Sequence, residues 1–429
     1  MPLVTGNPAR QGNGVFKSLS LRKWRQFSEL RIDFDERLTV LTGENGTGKS
    51  TILRLLAQHL GWPGNLAATP IYRDGLLTFT PDADGIPPAV HPNSEALTVG
   101  VIEYSGGHST KIVVPRAVGG EYEPRFPTPA EVNGIFVSSH RPIFRYQQTG
   151  VVQTTPIQAI HAYSNARIEA ANRFQPNTGF SSPTFRMKEA LISWALFGFG
   201  SEILTPSPVA MSAFRGFEEL LRTILPTSLG FERLGVEMPE VVLETKTGKF
   251  PIEGSSGGVS ALIELAWLLH LFTLTHPDEI LSIVIDEPEN HLHPALQREL
   301  MPKLLRAFPD SQIIVATHSP FIVSAEPAAR VYALKFDESN KATAQLLEGL
   351  EVSGTANDVL RSGLGLDVTV PVWVEEKLTT IAQRFEKAES FDRAFLESVR
   401  RELRAAGLEE YAPDVLTRAL SSKRGEGDD

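Results

Sequence analysis

The chain has 429 residues, no cysteine, a hydrophobic fraction of 41% and a net charge of −10 from 41 basic and 51 acidic residues. This length allows two or three domains, or one large α/β domain with insertions, and the lack of cysteine excludes a disulfide framework and a thiolate metal site. The acidic balance argues against a protein that coats DNA over its whole surface, so any nucleic-acid contact would be local.

No apolar run reaches the length of a membrane span, and the polar, Gly-containing segment Met1–Gly14 has no apolar signal core. We therefore expect a cytoplasmic protein with no membrane partner, a location that also suits the cysteine-free composition.

The N-terminal part predicts three strands that lead into a glycine-rich loop. Alternating apolar and polar residues predict strands over Val15–Leu21 and Leu30–Phe34, and a β-rich run predicts a third over Leu38–Thr42. Trp24 and Phe27 lie between the first two. We interpret them as core residues of the sheet, although a base-stacking platform is the alternative.

The loop after the third strand matches the pattern G-x-x-x-x-G-K-[ST], which is the P-loop. Its glycines let backbone N–H groups surround an anion, and the helix that follows directs its positive end to the same place. Lys49 can reach the outer phosphates of a nucleotide, and Ser50 offers a hydroxyl to Mg²⁺. A chance glycine turn is the alternative interpretation. The predicted phosphate-binding residues are Gly43, Glu44, Asn45, Gly46, Thr47, Gly48, Lys49, Ser50 and Thr51.

The middle of the chain predicts a hairpin and then a helical insertion. Residues 97–104 and 110–115 flank a Ser-Gly-Gly-His turn, and Gly134–His140 has the composition of a buried strand. Helical spacing follows over 157–174, 185–199 and 211–225. Between Arg116 and Arg215 there are nine basic and six acidic residues, a local excess of three positive charges. A solvated face explains this excess as well as a nucleic-acid contact does.

A second anion-binding loop is predicted before a strongly apolar helix. Strand-like segments over 231–237, 241–245 and 250–252 precede it, and the loop then opens the helix with Gly and Ser. Its candidate nucleotide-binding residues are Ser255, Ser256, Gly257 and Gly258.

Two further apolar strands end in polar side chains. One runs over Ile280–Asp286 and ends in the carboxylates Asp286 and Glu287; the other begins at Gln312 and ends near His318, after a predicted helix over 294–307. In parallel sheets, ligands bind at the carboxyl ends of strands, so we expect these side chains and the P-loop to converge.

The chemistry expected of these side chains follows from their types. Asp286 could hold Mg²⁺, Glu287 could orient or deprotonate an attacking water, and His318 could contact that water or the γ-phosphate. A solvated loop and a core histidine are the alternatives. His291 and His293 lack a third ligand at convincing spacing, so we expect structural roles for them.

The C-terminal part predicts two edge strands and a helical tail. The edge strands are expected over 331–334 and 344–347, and helices over 374–387 and 391–408 with a stop at Gly407. We expect Ser421–Asp429 to be disordered.

One P-loop cannot obviously use the distant loop at 254–258 for its own nucleotide. An ATP sandwiched head to tail between two chains would satisfy both loops, which predicts a homodimer or a higher homo-oligomer.

Together these motifs resemble the ABC-type P-loop ATPases in their SMC-like branch, and in particular the OLD-like (AAA_21-type) group. The resemblance rests on the P-loop stretch, on Asp-Glu-Pro-Glu-Asn-His-Leu-His-Pro at 286–294 and on Ile-Val-Ala-Thr-His-Ser-Pro at 314–320. It implies an α/β fold with a mixed sheet, and an ATPase that uses ATP and Mg²⁺. It also implies that Ser50 and Asp286 hold the metal, that Glu287 is the catalytic base, that His318 is a switch residue and that Lys49 is a further catalytic residue.

The chain departs from that pattern in two places. Val259 follows the signature-like loop, and the usual acidic or amide residue is missing there. For the Q-loop glutamine, Gln147 and Gln148 are weak candidates. The resemblance divides the chain into the N-terminal half of the ATPase head (1–140), a helical insertion (141–228), the C-terminal half of the head (229–350) and a helical tail (351–429).

In size and tail the chain resembles ATPase subunits of bacterial anti-phage systems of the Septu and retron-associated types. This resemblance implies a separate effector protein, often a nuclease, gated by ATP turnover. A DNA repair or recombination ATPase of the RecF/SMC-like class, a transporter ATPase and a small-molecule kinase are the alternatives. Residues 372–377 have a faint likeness to the first acidic motif of a TOPRIM nuclease, but no Asp-x-Asp follows.

Overall fold

A computed structural model describes residues 14–73, 75–81, 96–115, 119–141, 144–150, 153–172, 182–277, 279–347, 372–386 and 393–408, with the single residues 356, 359 and 411. It divides into two compact units, 1–365 and 366–429. Most of 351–371 and all of 421–429 lie outside the described residues, so the expectation of a disordered end remains a prediction.

The first unit is built on a ten-stranded mixed sheet. Its strands, in spatial order, are β10 (Gly134–Val137), β14 (Ser282–Asp286), β15 (Gln312–Ala316), β3 (Leu38–Gly43), β16 (Arg330–Phe336), β17 (Ala342–Leu347), β2 (Phe27–Asp33), β1 (Phe16–Trp24), β7 (Ala96–Tyr104) and β8 (Ser109–Pro115). The five strands from β10 to β16 are parallel to their neighbours. The pairs β16–β17, β2–β1, β1–β7 and β7–β8 are antiparallel, which confirms the predicted hairpin.

Smaller sheets lie outside this framework. A three-stranded sheet contains β11 (Phe231–Glu237), β12 (Glu240–Thr245) and β13 (Gly248–Pro251). Two-stranded pairs join β4 (Leu66–Ala67) to β9 (Glu121–Tyr122) and β5 (Thr69–Arg73) to β6 (Leu76–Thr80).

Helices cover both faces of the large sheet. The helices of the first unit are α1 (Lys49–His59), α2 (Ala159–Asn172), α3 (Pro183–Phe199), α4 (Pro208–Ile224), α5 (Gly257–Thr275), α6 (Pro294–Ala307) and α7 (Pro320–Val323). The central strands separate two cores, because successive side chains point to opposite faces. Ile283, Ile285 and Val315 pack among α2 to α6, whereas Val284 and Ile314 pack with α1.

One prediction about the strands of this unit was wrong. β16 and β17 are interior strands between β3 and β2, not edge strands. Their short apolar patterns resemble those of edge strands, because the strands that pair with them come from distant parts of the chain.

Helix α5 is long and apolar enough to cross a membrane by length and composition, and it is the one such helix in the described part of the chain. However, 78% of its apolar window is buried inside the protein, as expected of a core helix.

Trp24 and Phe27 are fully buried, which confirms their assignment to the core. Their rings lie 6.3 Å apart at the end of the β1–β2 hairpin.

The second unit contains two described helices, α8 (Val372–Glu386) and α9 (Arg393–Ala405). Val374, Leu378, Val399 and Leu403 form part of its own small apolar core. Gly407, with φ of 70°, follows the end of α9 and donates its N–H to the carbonyl of Arg404. This is the stop expected of a glycine beyond a helix end.

Candidate active site

Neighbouring parallel strands bring the predicted site residues to one edge of the sheet. Four parallel strands lie side by side in the order β3, β15, β14 and β10. β3 ends at Gly43, and the other three are followed in turn by Thr317, Glu287 and Ser138. The backbone N–H of Glu287 donates to the carbonyl of Ala316 at 2.8 Å, and that of Thr317 donates to Leu41 at 2.9 Å. The P-loop, the carboxylate pair and His318 therefore follow adjacent strand ends, as the sequence predicted.

The P-loop requires glycine at two positions for steric reasons. Gly43 has φ of 126°, and a Cβ there would lie 2.0 Å from the carbonyl oxygen of Leu334 on β16. Gly48 has φ of 99°, and a Cβ there would lie 2.3 Å from Cζ of Phe27. A side chain at either position would disrupt the turn that begins α1 at Lys49.

Lys49 lies over the P-loop and is almost fully buried. Its Nζ donates to the carbonyls of Gly43 at 2.9 Å and Glu44 at 2.8 Å. Burial lowers the pKa of Lys49 to about 8, even though Asp286 and Glu287 act to raise it. An anion bound in the loop would favour the charged form of this ammonium group.

Ser50 and Asp286, the two predicted metal ligands, lie next to each other. Burial raises the pKa of Asp286, while a hydrogen bond with the Ser50 side chain acts to lower it. Arg54 and Arg141 act in the same direction as Ser50. Hydroxyl and carboxylate oxygens fit Mg²⁺, which commonly takes one or two protein ligands together with substrate phosphates. The described residues contain no group of three or more His, Cys, Asp or Glu that could hold a metal without such phosphates.

Glu287 has a strained backbone conformation. Its φ of 47° is left-handed, a region that side chains other than glycine rarely occupy. Asn290 donates from Nδ2 to Glu287 Oε2 at 2.7 Å and also to the carbonyl of Ser139 at 2.9 Å. Asn290 thus connects the candidate base to the end of β10, and strain of this kind is concentrated at functional sites.

Glu289 holds the segment that carries His318. Its Oε1 accepts from the Thr317 hydroxyl at 2.7 Å and from the backbone N–H of His318 at 2.8 Å. Burial lowers the pKa of His318; Lys49 lowers it further, and Glu287 acts to raise it. These contacts favour a neutral imidazole, which can accept a proton or a hydrogen bond.

The loop at 254–258 has a different environment. Ser256 caps α5 without a side-chain hydrogen bond, and Ser255 donates within the loop to the carbonyl of Ile252. A Cβ on Gly258 would lie 2.9 Å from the carbonyl of His291, whereas a Cβ on Gly257 would meet nothing within 4 Å. One side of the loop therefore packs against the segment after Glu287, and the other is open.

Sequence reasoning missed several residues of this site: Glu289, Asn290, Arg54 and Arg141. Glu289 and Asn290 belong to the same polar stretch as Asp286, which was the available signal. The contribution of Arg54 and Arg141 depends on tertiary packing. The Oε1 of Gln147 accepts from the backbone N–H of Ser182 at 3.1 Å, and its Q-loop role remains a prediction.

The two histidines at 291 and 293 lie just before α6. His293 caps α6, and its Nδ1 accepts from the N–H of Ala295 at 3.3 Å. His291 has a left-handed backbone with φ of 68°. Neither belongs to a metal-binding group among the described residues.

A P-loop opening a helix from a central parallel strand, with an Asp-Glu pair on a nearby strand end, defines a P-loop ATPase. Two family descriptions match the chain in agreement with this class: "AAA domain, putative AbiEii toxin, Type IV TA system" over 167–324, and "AAA domain" over 18–67. The site geometry and both matched segments agree on a P-loop ATPase domain within an α/β fold, as the sequence predicted.

Among curated proteins, the chain is 26% identical over 168 residues to the Septu protein PtuA of Bacillus thuringiensis, which covers 35% of this chain and 42% of that protein. It is 26% identical over 205 residues to the retron Ec83 probable ATPase of Escherichia coli, covering 46% of this chain and 32% of the relative. The predicted resemblance to Septu and retron ATPases is confirmed. The chain spans less than half the length of these two relatives.

Among solved structures, the SMC head domain from Thermotoga maritima aligns with 78% of this chain and 99% of its own, with 14% identity and a TM-score of 0.41. The fold of the chain is defined by the strand order of its ten-stranded sheet.

Proposed function

We propose that this chain works as a nucleotide-gated head-to-tail dimer that hydrolyses ATP and thereby controls a separate effector protein of a bacterial anti-phage system. The observation that carries the proposal is the contrast between two loops. The P-loop meets its cation, carboxylates and histidine in one chain, while Ser256 and Gly257 are open to a second chain.

In the proposed reaction, the P-loop backbone and Lys49 bind the phosphates of ATP. Ser50 and Asp286 would hold Mg²⁺, which would supply positive charge that offsets the negative charge of the nucleotide phosphates. Glu287 accepts a proton from the attacking water, and Asn290 orients its carboxylate. His318, held by Glu289 through its backbone, contacts the water or the γ-phosphate.

The part in defence rests on the sequence relatives, whose alignments each cover under half of the relative's length. ATP turnover would then act as a signal, not as the destructive step itself. The TOPRIM-like segment 372–377 lies in α8, and Glu375 is in the first turn of that helix. Any nuclease is therefore proposed to be a separate protein.

The effector is proposed to dock partly through residues 355–420. In this region α8 and α9 bury their apolar residues against each other, and α9 exposes Arg400, Arg401 and Arg404. A helical pair with its own core and a charged outer face is suited to a reversible contact with another protein.

The test begins with the purified full chain. We expect ATP hydrolysis, an ATP-dependent increase in mass by light scattering and no cleavage of DNA in the presence of Mg²⁺. DNA-stimulated turnover without any effector would favour a repair or recombination ATPase instead. DNA cleavage by the chain alone, abolished by Glu375→Gln, would make the tail the effector and overturn the gating proposal.

A further inference from the structure

A buried ionic cluster lies outside the site, between the helical insertion and the loop at 254–258. At its centre is Lys188 on α3, whose side chain is 0% exposed. Its Nζ lies 2.6 Å from Oε1 of Glu253 and 2.8 Å from Oε2 of Glu240. It also donates to the carbonyl of Gln147 at 2.7 Å and lies 5.1 Å from the centre of the Tyr146 ring. One ammonium group thus joins the 144–150 segment, β12 and the turn before the loop.

The two carboxylates that pair with Lys188 differ in whether they have another hydrogen-bond donor. Glu240 has a second partner, because the Tyr146 hydroxyl donates to its Oε1 at 3.0 Å. Glu253 has a side chain only 4% exposed, and its Oε2 has no hydrogen-bond donor among the described residues. Lys188 is therefore the cation that compensates the buried charge of Glu253. Burial alone would lower the pKa of Lys188, but Glu240 and Glu253 outweigh it and raise that pKa, so the cation remains charged.

Glu253 stands next to the functional loop in the chain. It lies in the 3-10 turn Ile252–Gly254, whose Ile252 carbonyl accepts both the hydroxyl and the backbone N–H of Ser255. Fixing Glu253 consequently fixes the position from which Ser255 and Ser256 leave the turn. A buried ion pair contributes little net stability compared with apolar residues, so its retention suggests that geometry is what it provides.

We propose that Lys188 is a positioning residue that sets the loop at 254–258 for contact with the nucleotide of a second chain. The inference rests on the proposed head-to-tail dimer. Lys188 touches no nucleotide itself; it acts through Glu253 on the loop. Its loss should impair the loop of its own chain and leave the P-loop of that chain intact.

The test uses Lys188→Met with Glu253→Gln in one full-length chain, since Lys188→Met alone would leave a buried, unpaired carboxylate. The melting temperature of this double variant should lie within a few degrees of that of the wild type. The variant should lower kcat for ATP by about tenfold and leave KM within about twofold, because binding at the P-loop is untouched. Arg186→Met is the matched control, as it removes an exposed ion pair with Glu189 on the same helix and should leave kcat unchanged.

Mixed dimers of two variants distinguish a positioning role of Lys188 from a general structural role. Heterodimers of the double variant with Lys49→Ala contain one composite site with an intact P-loop and an intact loop, so turnover should recover. Heterodimers of Ser256→Arg with Lys49→Ala report on the dimer itself.

Recovery in the Ser256→Arg mixture but not in the double-variant mixture would overturn the role of Lys188 and keep the dimer. Failure of both mixtures in proven heterodimers would overturn the dimer, and the role of Lys188 with it. A double variant with wild-type kcat would also refute the inference.

Discussion

The two glycine-containing loops of this protein both open a helix, but they differ in what surrounds them. The P-loop before α1 has left-handed glycines packed against β16 and Phe27, a buried lysine and a carboxylate opposite Ser50. The loop before α5 has no lysine or carboxylate within it after Glu253, and Ser256 and Gly257 are exposed. A helix N-terminus attracts anions, but a complete site also needs a cation and a metal ligand.

The two loops share a local pattern, a glycine-containing turn that opens a helix, but they differ in the side chains that surround them. In the described structure, Lys49, Ser50 and Asp286 of one chain lie together at the P-loop. The second loop packs on one side, where Gly258 approaches the carbonyl of His291 and Glu253 pairs with Lys188. Support on one side and exposure on the other are what a loop needs to act on a ligand held by another molecule.

Lys49→Ala should abolish ATP turnover, with a loss of about a hundredfold or more, because it removes the main cation on the outer phosphates. Steady-state phosphate release measures this effect. Lys111→Ala, at an exposed position on β8, is the matched control and should retain full activity. Near-wild-type turnover by Lys49→Ala would refute the role of the P-loop.

Glu287→Gln should still bind ATP but hydrolyse it about a hundredfold more slowly or worse, since an amide cannot accept the proton of water. The variant should accumulate as the ATP-bound dimer, which size-exclusion chromatography with light scattering would detect. Glu299→Gln removes an exposed carboxylate on α6 and should behave as wild type. Undiminished turnover, or no change of mass with ATP, would count against the assignment.

Mixing Lys49→Ala chains with Ser256→Arg chains should restore ATPase activity that neither has alone. If the chains mix at random and the two sites are independent, about a quarter of wild-type turnover is expected, because half of the dimers carry one intact site of two. Each variant measured alone provides the baseline. Absence of recovery in heterodimers isolated with two tags would exclude action of the second loop across the dimer.

Acid should destabilise the helices of both loops through buried neutral histidines. Burial lowers the pKa of His59 on α1 and of His270 on α5 to about 4, from 6.5. The unfolded chain binds a proton at each histidine below about pH 6.5, whereas the folded chain does so only near pH 4. The free energy of unfolding therefore falls between pH 6.5 and pH 4, by at most about 3 kcal/mol per histidine.

His270→Gln tests the acid effect, because an amide can still donate to the carbonyl of Ala213 but cannot be protonated. This change should reduce the loss of the urea midpoint between pH 7 and pH 4.5. His161→Gln, at an exposed position on α2, should leave that loss unchanged. An identical pH dependence in His270→Gln and wild type would refute the explanation.

The sequence by itself determined the ATPase class and the residues of its first loop. The P-loop pattern depends only on a short stretch of sequence. Alternating apolar and polar residues predicted β1, and continuous apolar or β-rich runs predicted β3, β14 and β15, because the pattern of a strand depends on which of its faces are buried. The rule that ligands lie at the carboxyl ends of parallel strands then placed Asp286, Glu287 and His318 near Lys49. These inferences succeeded since each depends on short stretches of chain.

The tertiary structure alone decided the features that depend on distant partners. β16 and β17 are interior strands because β3 and β2, from the other end of the chain, pair with them. Glu289 holds the His318 segment only because the fold brings its carboxylate to the Thr317 hydroxyl and the backbone N–H of His318. Lys188 becomes the partner of Glu253 only when α3 packs beside the 3-10 turn. Side chains that act through long-range contacts leave no spacing signal, because nothing in the local sequence fixes which residues the fold brings together.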